Sequence, residues 1–156
     1  MRNKLALVGW IALCLAAGGL GSLATSAKIP TWYATLAKPS WNPPNWLFAP
    51  VWTTLFVLMA VAAWMVWTRR AQASASAALV LFAVQLVLNT LWSFLFFGAE
   101  NPGAAMLEIV VLWIAIAATI WTFRKISSPA AWLLAPYLAW VSFASCLNYA
   151  IWQLNP

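Results

Sequence analysis

The stretch NPGAAMLEIVVLWIAIAATIWTFRKISSP, residues 101–129, is punctuated at both ends and almost pure hydrocarbon between. Asn101 offers a side chain that caps a helix, and Pro102 at the first helical position lacks only an N–H that would have no partner there. At the other end Arg124-Lys125 place positive charge where a helix C-terminus and a lipid headgroup both favour it. Ser128-Pro129 then repeats the start signal. The run of residues 103–123 has the length that crosses ~30 Å of hydrocarbon at 1.5 Å per residue.

Four more segments of that kind flank it, at about residues 5–26, 46–68, 76–97 and 129–152. The 156-residue chain is 65% hydrophobic and 6% charged, with a mean hydropathy of +0.87, far from the mix of a water-soluble domain. The expectation is an all-α integral membrane protein, a five-transmembrane-helix bundle forming a single domain over residues 1–156. MRNK followed by LALVGWIALCLAAGGL has a signal-peptide look, but its apolar run of about 22 residues exceeds the ~7–15 of such a core. It reads as a retained first helix.

Five spans put the termini on opposite sides. One side collects Arg2, Lys4, Arg69, Arg70, Arg124 and Lys125; the other has Lys28, Lys38 and Glu100. The positive-inside rule makes the N-terminus cytoplasmic, and the C-terminus and the first loop, residues 27–45, external. The net charge of +6 is scattered in ones and twos with no basic stripe, so no nucleic-acid partner is expected. The partner surface is the lipid bilayer.

The chain has no histidine, and its cysteines, Cys14 and Cys146, fall in different apolar segments. That inventory excludes a zinc site, a Cys-His nucleophile and histidine-ligated haem, and no metal or resident cofactor is expected. Both cysteines read as small buried hydrophobes. Glu100 and Glu108 are the only acidic side chains, too few for paired-carboxylate chemistry across a cleft, with Glu100 in a short loop. Glu108 is either wet at the outer headgroups or, if deeper, paired.

With the topology imposed, Trp52, Asn89, Trp92, Glu108, Asn148 and Tyr149 all fall in the outer half. Gln85, Asn89, Trp92 and Phe96 form one helical stripe, Tyr137, Trp140, Ala144 and Asn148 a second, and Trp52, Phe56, Met59 and Ala63 a third. Aromatic walls with a few amides suit a flat, largely apolar ligand. The same stripes also serve plain helix packing with interhelical hydrogen bonds. Of the 13 tryptophans, Trp10, Trp64, Trp67, Trp121, Trp132 and Trp152 sit near segment ends, as an interfacial belt requires, Trp52 and Trp92 are intermediate, and Trp113 and Trp140 lie too deep for that. Above the polar half lies KPSWNPPNWLFAPVW, residues 38–52, stiffened by Pro43-Pro44, with Pro50 removing a backbone hydrogen bond early in the second helix. It is either a lid or an interfacial anchor.

Trp32-Tyr33 followed by KPSWNPPNWLFAPVWTTLF, then QLVLNTLWSFLFFG at 85–98 and PYLAWVSFASCLNYAIW at 136–152, closely resemble the TspO/MBR family. That family includes tryptophan-rich sensory proteins and the translocator protein, or peripheral benzodiazepine receptor. The resemblance covers nearly the whole chain. It implies a five-helix bundle, commonly a homodimer, with a loop-side pocket for porphyrins such as protoporphyrin IX and for flat aromatic ligands. By motif the ligand-binding positions are Tyr33, Trp41, Trp52, Asn89, Trp92, Trp140, Ala144 and Leu147. Some bacterial relatives are reported to degrade protoporphyrin IX under light with two pocket tryptophans; those match Trp52 and Trp140, which are catalytic only if that reaction occurs. The resemblance therefore implies a receptor or sensor, with light-dependent degradation or transport of porphyrins and amphipathic molecules as alternatives.

One departure concerns sterols. The proposed cholesterol motif of mitochondrial relatives needs a basic residue after the tyrosine, whereas Leu147 and Tyr149 are followed by AIWQLNP. Sterol binding is accordingly not expected. Two small-residue runs offer dimer faces or internal packing: Ala17, Gly18, Gly21 and Ser22 in the first helix, and ASASAA at 73–78.

Overall fold

The computed structural model describes residues 2–156, with only the backbone of Arg2, so the Arg2 charge counted above lies outside it. Its five long apolar helical stretches each have the length and hydropathy to cross a membrane. The first is α1 (Arg2–Thr25), and the loop after it holds a single helical turn, α2 (Trp32–Thr35). A 3-10 turn at Asn45–Leu47 leads into α3 (Phe48–Trp67). The third stretch, α4 (Ala75–Ser93), ends in a π turn at Phe94–Gly98, and α5 (Pro102–Ile126) follows. The fifth is split into α6 (Ser128–Leu133) and α7 (Ala135–Leu154).

The punctuation works as read at Asn101, but at the other end Ser127, not Ser128, is the N-cap of α6, and its side chain makes no capping bond. Asn101 Oδ1 accepts from the Ala104 N–H at 2.9 Å, with Pro102 opening the helix and Arg124 and Lys125 in its last turn. Three further features differ from the sequence reading. The fifth span is not one helix: Pro136 cannot donate to the preceding turn, and a Leu134 N–H to Ala131 carbonyl bond of 3.1 Å closes α6 before α7 begins. The first loop is extended at Pro44 (φ −64°, ψ 143°) but helical at Trp32–Thr35. The third span closes with a Ala99 N–H to Phe94 carbonyl bond of 2.7 Å, then turns at Glu100 with φ 52°, a left-handed position usually filled by glycine.

Around the bundle α3 packs on α1, α1 on α4, α4 on α5, and α5 on α6 and α7, while α6 returns to α3. At the arginine end the ring closes tightly. Met59, Ala60, Ala63, Phe82, Ile116, Phe123 and Tyr137 are fully buried there and toward mid-bundle. Phe82 stacks on Phe123 at 5.9 Å and meets Trp10 edge-on at the same separation. Alanines 60, 62 and 63 let α3 approach its neighbours closely. Trp64 Nε1 donates to the Asn3 carbonyl at 2.8 Å, fixing the start of α1 beside the end of α3.

Two expectations about buried groups change. Cys14 is fully buried, but Cys146 faces outward from α7 and is exposed. Glu108 takes the deeper of its two alternatives, buried at 8% exposure, but among the described residues it lacks the partner expected there. The small-residue runs are partly used inside the monomer: Gly18 faces Phe56, Gly21 faces Ser93, and Ala75 and Ala78 are buried.

Candidate ligand-binding cavity

At the loop end α1, α3, α4 and α7 do not close on one another. They surround a cavity of about 440 Å³, within the ~300–1,000 Å³ usual for small-molecule sites. Each wall follows from a helical stripe. From α3 come Phe48, Trp52 and Phe56; from α4, Asn89, Trp92, Ser93 and Phe96; from α7, Trp140, Phe143, Ala144 and Leu147. The α1 wall is made by absence, because Gly18, Gly21 and Ser22 leave room where larger side chains would fill it.

The rings form a connected lining. Trp92 stacks on Phe96 at 5.1 Å, Trp52 lies tilted against Phe56 at 5.6 Å and edge-on to Tyr137 at 6.3 Å, and Trp140 meets Phe48 edge-on at 6.0 Å. The amides divide into two roles. Asn148 is spent on structure: Oδ1 accepts from Trp92 Nε1 at 3.0 Å and Nδ2 donates to the Pro102 carbonyl at 2.8 Å, tying α4, α5 and α7 together. Asn89 donates to the Tyr137 hydroxyl at 3.0 Å and also lines the cavity. Asn148 lines the cavity as well, so the packing and ligand readings of the stripes meet in Asn89, Trp92 and Asn148.

The first loop roofs this space. Tyr33, at 4% exposure, lines the cavity from above and donates its hydroxyl proton to Asn42 Oδ1 at 2.8 Å. Lys38 Nζ stands 4.7 Å over the Tyr33 ring. Burial pushes the Tyr33 phenol up from its ordinary value, and the hydrogen bond to Asn42 offsets part of that shift. The roof is strapped down at two further points. Ala37 exchanges two hydrogen bonds with Asn155, N–H to Oδ1 at 3.0 Å and Nδ2 to carbonyl at 2.9 Å. Lys28 forms an ion pair with Glu100.

Of the eight positions singled out above, Tyr33, Trp52, Asn89, Trp92, Trp140, Ala144 and Leu147 line this one cavity. Trp41 does not; it is 48% exposed and rests edge-on against the lining residue Phe143 at 5.8 Å. Phe48, Phe143 and the α1 glycines were not singled out as site residues. Phe143 carries no polar signal, and Gly18 and Gly21 read equally well as helix-packing residues. The two deep tryptophans part company: Trp140 lines the cavity, whereas Trp113 is 39% exposed on the outer surface, its N–H donated to Ser142 Oγ at 2.8 Å.

Comparison with known proteins finds the TspO/MBR family over residues 10–153. The chain is 51% identical to the tryptophan-rich protein TspO of Chlorobaculum tepidum, over 99% of both chains. It is 42% identical to the translocator protein of Bos taurus, over 95% of this chain and 89% of that one. It is 40% identical to a tryptophan-rich sensory protein of Cereibacter sphaeroides, over 94% of this chain and 89% of that one.

Proposed function

The chain belongs to the TspO/MBR family, and from that premise we propose that it is a membrane receptor for porphyrins such as protoporphyrin IX and for related flat aromatic ligands. The observation that carries this is the cavity of about 440 Å³ walled by Trp52, Trp92 and Trp140 and roofed by Tyr33. Offset stacking and edge contacts with these rings favour a flat conjugated ligand, and Asn89 adds one polar contact that fixes orientation. Tyr33, Trp52, Asn89, Trp92, Trp140, Ala144 and Leu147 touch the ligand in this reading, with Trp41 supporting Phe143. A stiff roof loses little entropy on closing. The name of the Cereibacter sphaeroides relative, a sensory protein, agrees with a receptor.

A second reading is favoured by the presence of Trp52 and Trp140 on two walls, α3 and α7, of the same cavity. Beside a photoexcited porphyrin each is an oxidisable indole, so light-dependent degradation of the bound ligand is the enzymatic alternative. Titration of the purified protein with protoporphyrin IX, followed by tryptophan quenching in darkness and then by porphyrin absorbance under light, separates the two. Saturable binding with no protein-dependent bleaching supports the receptor. Bleaching that slows in Trp52→Phe or Trp140→Phe supports the enzyme, and absence of saturable binding contradicts both. Flux into sealed vesicles is the corresponding test of transport.

In the same proposal the roofed end lies outside the cytoplasm and the protein works as a homodimer. The charges at Lys4, Arg69, Arg70, Arg124 and Lys125 argue for the orientation. Reporter fusions to the C-terminus that are active only outside the cytoplasm test it.

A further inference from the structure

Glu108 is one of two acidic side chains in the chain and the one that lies within a span. Neither carboxyl oxygen has a hydrogen-bond partner among the described residues, and both are inaccessible. Its place along the α5–α7 seam is fixed by a bond on each side: Asn148 to the Pro102 carbonyl before it and Trp113 to Ser142 after it. Between them, α7 offers the Ser145 hydroxyl, which is already donated to the Val141 carbonyl at 2.8 Å. On α4 stands Gln85, 1% exposed, with both amide atoms also unpartnered. The described lysines and arginines lie at helix ends or in loops, so none of them reaches this depth.

An ionised carboxylate buried without a counter-charge or donor is costly by several kcal/mol, whereas the neutral acid carries its own donor. Intramembrane acids of this kind serve as proton sites. We propose that Glu108 is a proton-binding site of the bundle, occupied at neutral pH and coupled electrostatically, through the low-dielectric interior, to the cavity. The cavity wall reaches α5 at Asn148, whose amide donates to the Pro102 carbonyl. The buried polar side chains of the helices packed on α5 are neutral at neutral pH: Gln85 and Asn89 on α4 and Tyr137 and Asn148 on α7, with none on α6. Cys14 of α1 is buried as well, and Cys146 turns outward.

The linkage has a definite sign. An anionic ligand in the cavity favours the neutral acid, so at a pH where the site is partly ionised it is bound with proton uptake, and by reciprocity the proton tightens its binding. That half of the inference rests on the porphyrin reading; the proton site itself does not.

Infrared spectroscopy of the protein in lipid vesicles tests it, because only Glu100 and Glu108 contribute side-chain carboxyl bands. The expected spectrum at neutral pH contains the C=O stretch of a protonated acid that persists in Glu100→Gln, disappears in Glu108→Gln and bleaches on raising the pH. A wild-type spectrum with carboxylate bands alone at neutral pH overturns the proposal, whether or not any porphyrin binds and whether or not Glu108→Gln folds. At the pH of half-bleaching, protoporphyrin IX shown by quenching to be bound should restore the band. An unchanged band there overturns the linkage.

Discussion

Gly18 shapes the cavity by what it lacks. A methyl group there would lie 2.5 Å from the Phe56 ring, while the neighbouring Gly19 has open space on its side chain's path. Gly18→Val therefore drives Phe56 toward the cavity, and overpacking of this kind costs about 1–3 kcal/mol. The expected result is a lower thermal midpoint and protoporphyrin IX affinity reduced about tenfold, whereas Gly9→Val, in open space on the same helix and away from the cavity, leaves both nearly unchanged. Tyr33 acts from above. Because its phenol is held above the ordinary value, its contribution to stability is complete below about pH 10 and is lost as pH rises through the folded-state value. Tyr33→Phe loses one hydrogen bond, worth about 1 kcal/mol, and should release ligand faster. The difference in thermal midpoint between wild type and Tyr33→Phe should shrink in alkaline buffer. The stripe residues of this site were legible because helical spacing alone puts Asn89 and Trp92 on one face. Gly18 was not, since a missing side chain gives the same signal whether it makes space for a helix or for a ligand.

The link between α4 and α5 combines a capping side chain with a strained residue. Asn101→Ala leaves the Ala104 N–H without its acceptor and should cost about 1 kcal/mol, read as a lower thermal midpoint. Glu100 is held at φ 52°, a conformation costing a residue with a side chain about 1–2 kcal/mol, and its ion pair with Lys28 is more than a third exposed at both ends. Such pairs contribute about 0–1 kcal/mol. Glu100→Gly should therefore be neutral or stabilising, and Glu100→Ala destabilising; the two midpoints measured side by side check the sign. Caps and prolines such as Asn101-Pro102 made the boundaries readable. The π turn at Phe94–Gly98 was not, because FLFFG carries no breaker before its glycine and the turn is set by the packing of Phe96 and Phe97 against Trp32 and Trp92. Pro136 was visible, but its effect depends on whether the preceding turn tightens, which local sequence leaves open.

Composition and hydropathy sufficed for a helical membrane bundle, because only intrasegment hydrogen bonding satisfies a backbone in hydrocarbon. Which end of that bundle stays open depends on how side-chain volumes add across four helices. Alanines 60, 62 and 63 close one end of α3, while Trp52 and Phe56 line the cavity at its other end. Amphipathic stripes point toward such a space without giving its volume. Ala144 is the position where volume and binding separate, since it lines the cavity and makes no hydrogen bond of its side chain. The direct measurement is a protoporphyrin IX titration by tryptophan quenching in darkness, comparing wild type with Ala144→Phe and with Trp121→Phe, the latter at the far end of α5. The account predicts saturable binding in wild type and Trp121→Phe, weakened at least about tenfold, or about 1.4 kcal/mol, in Ala144→Phe. Equal binding by all three, or none by the folded wild type, would contradict it.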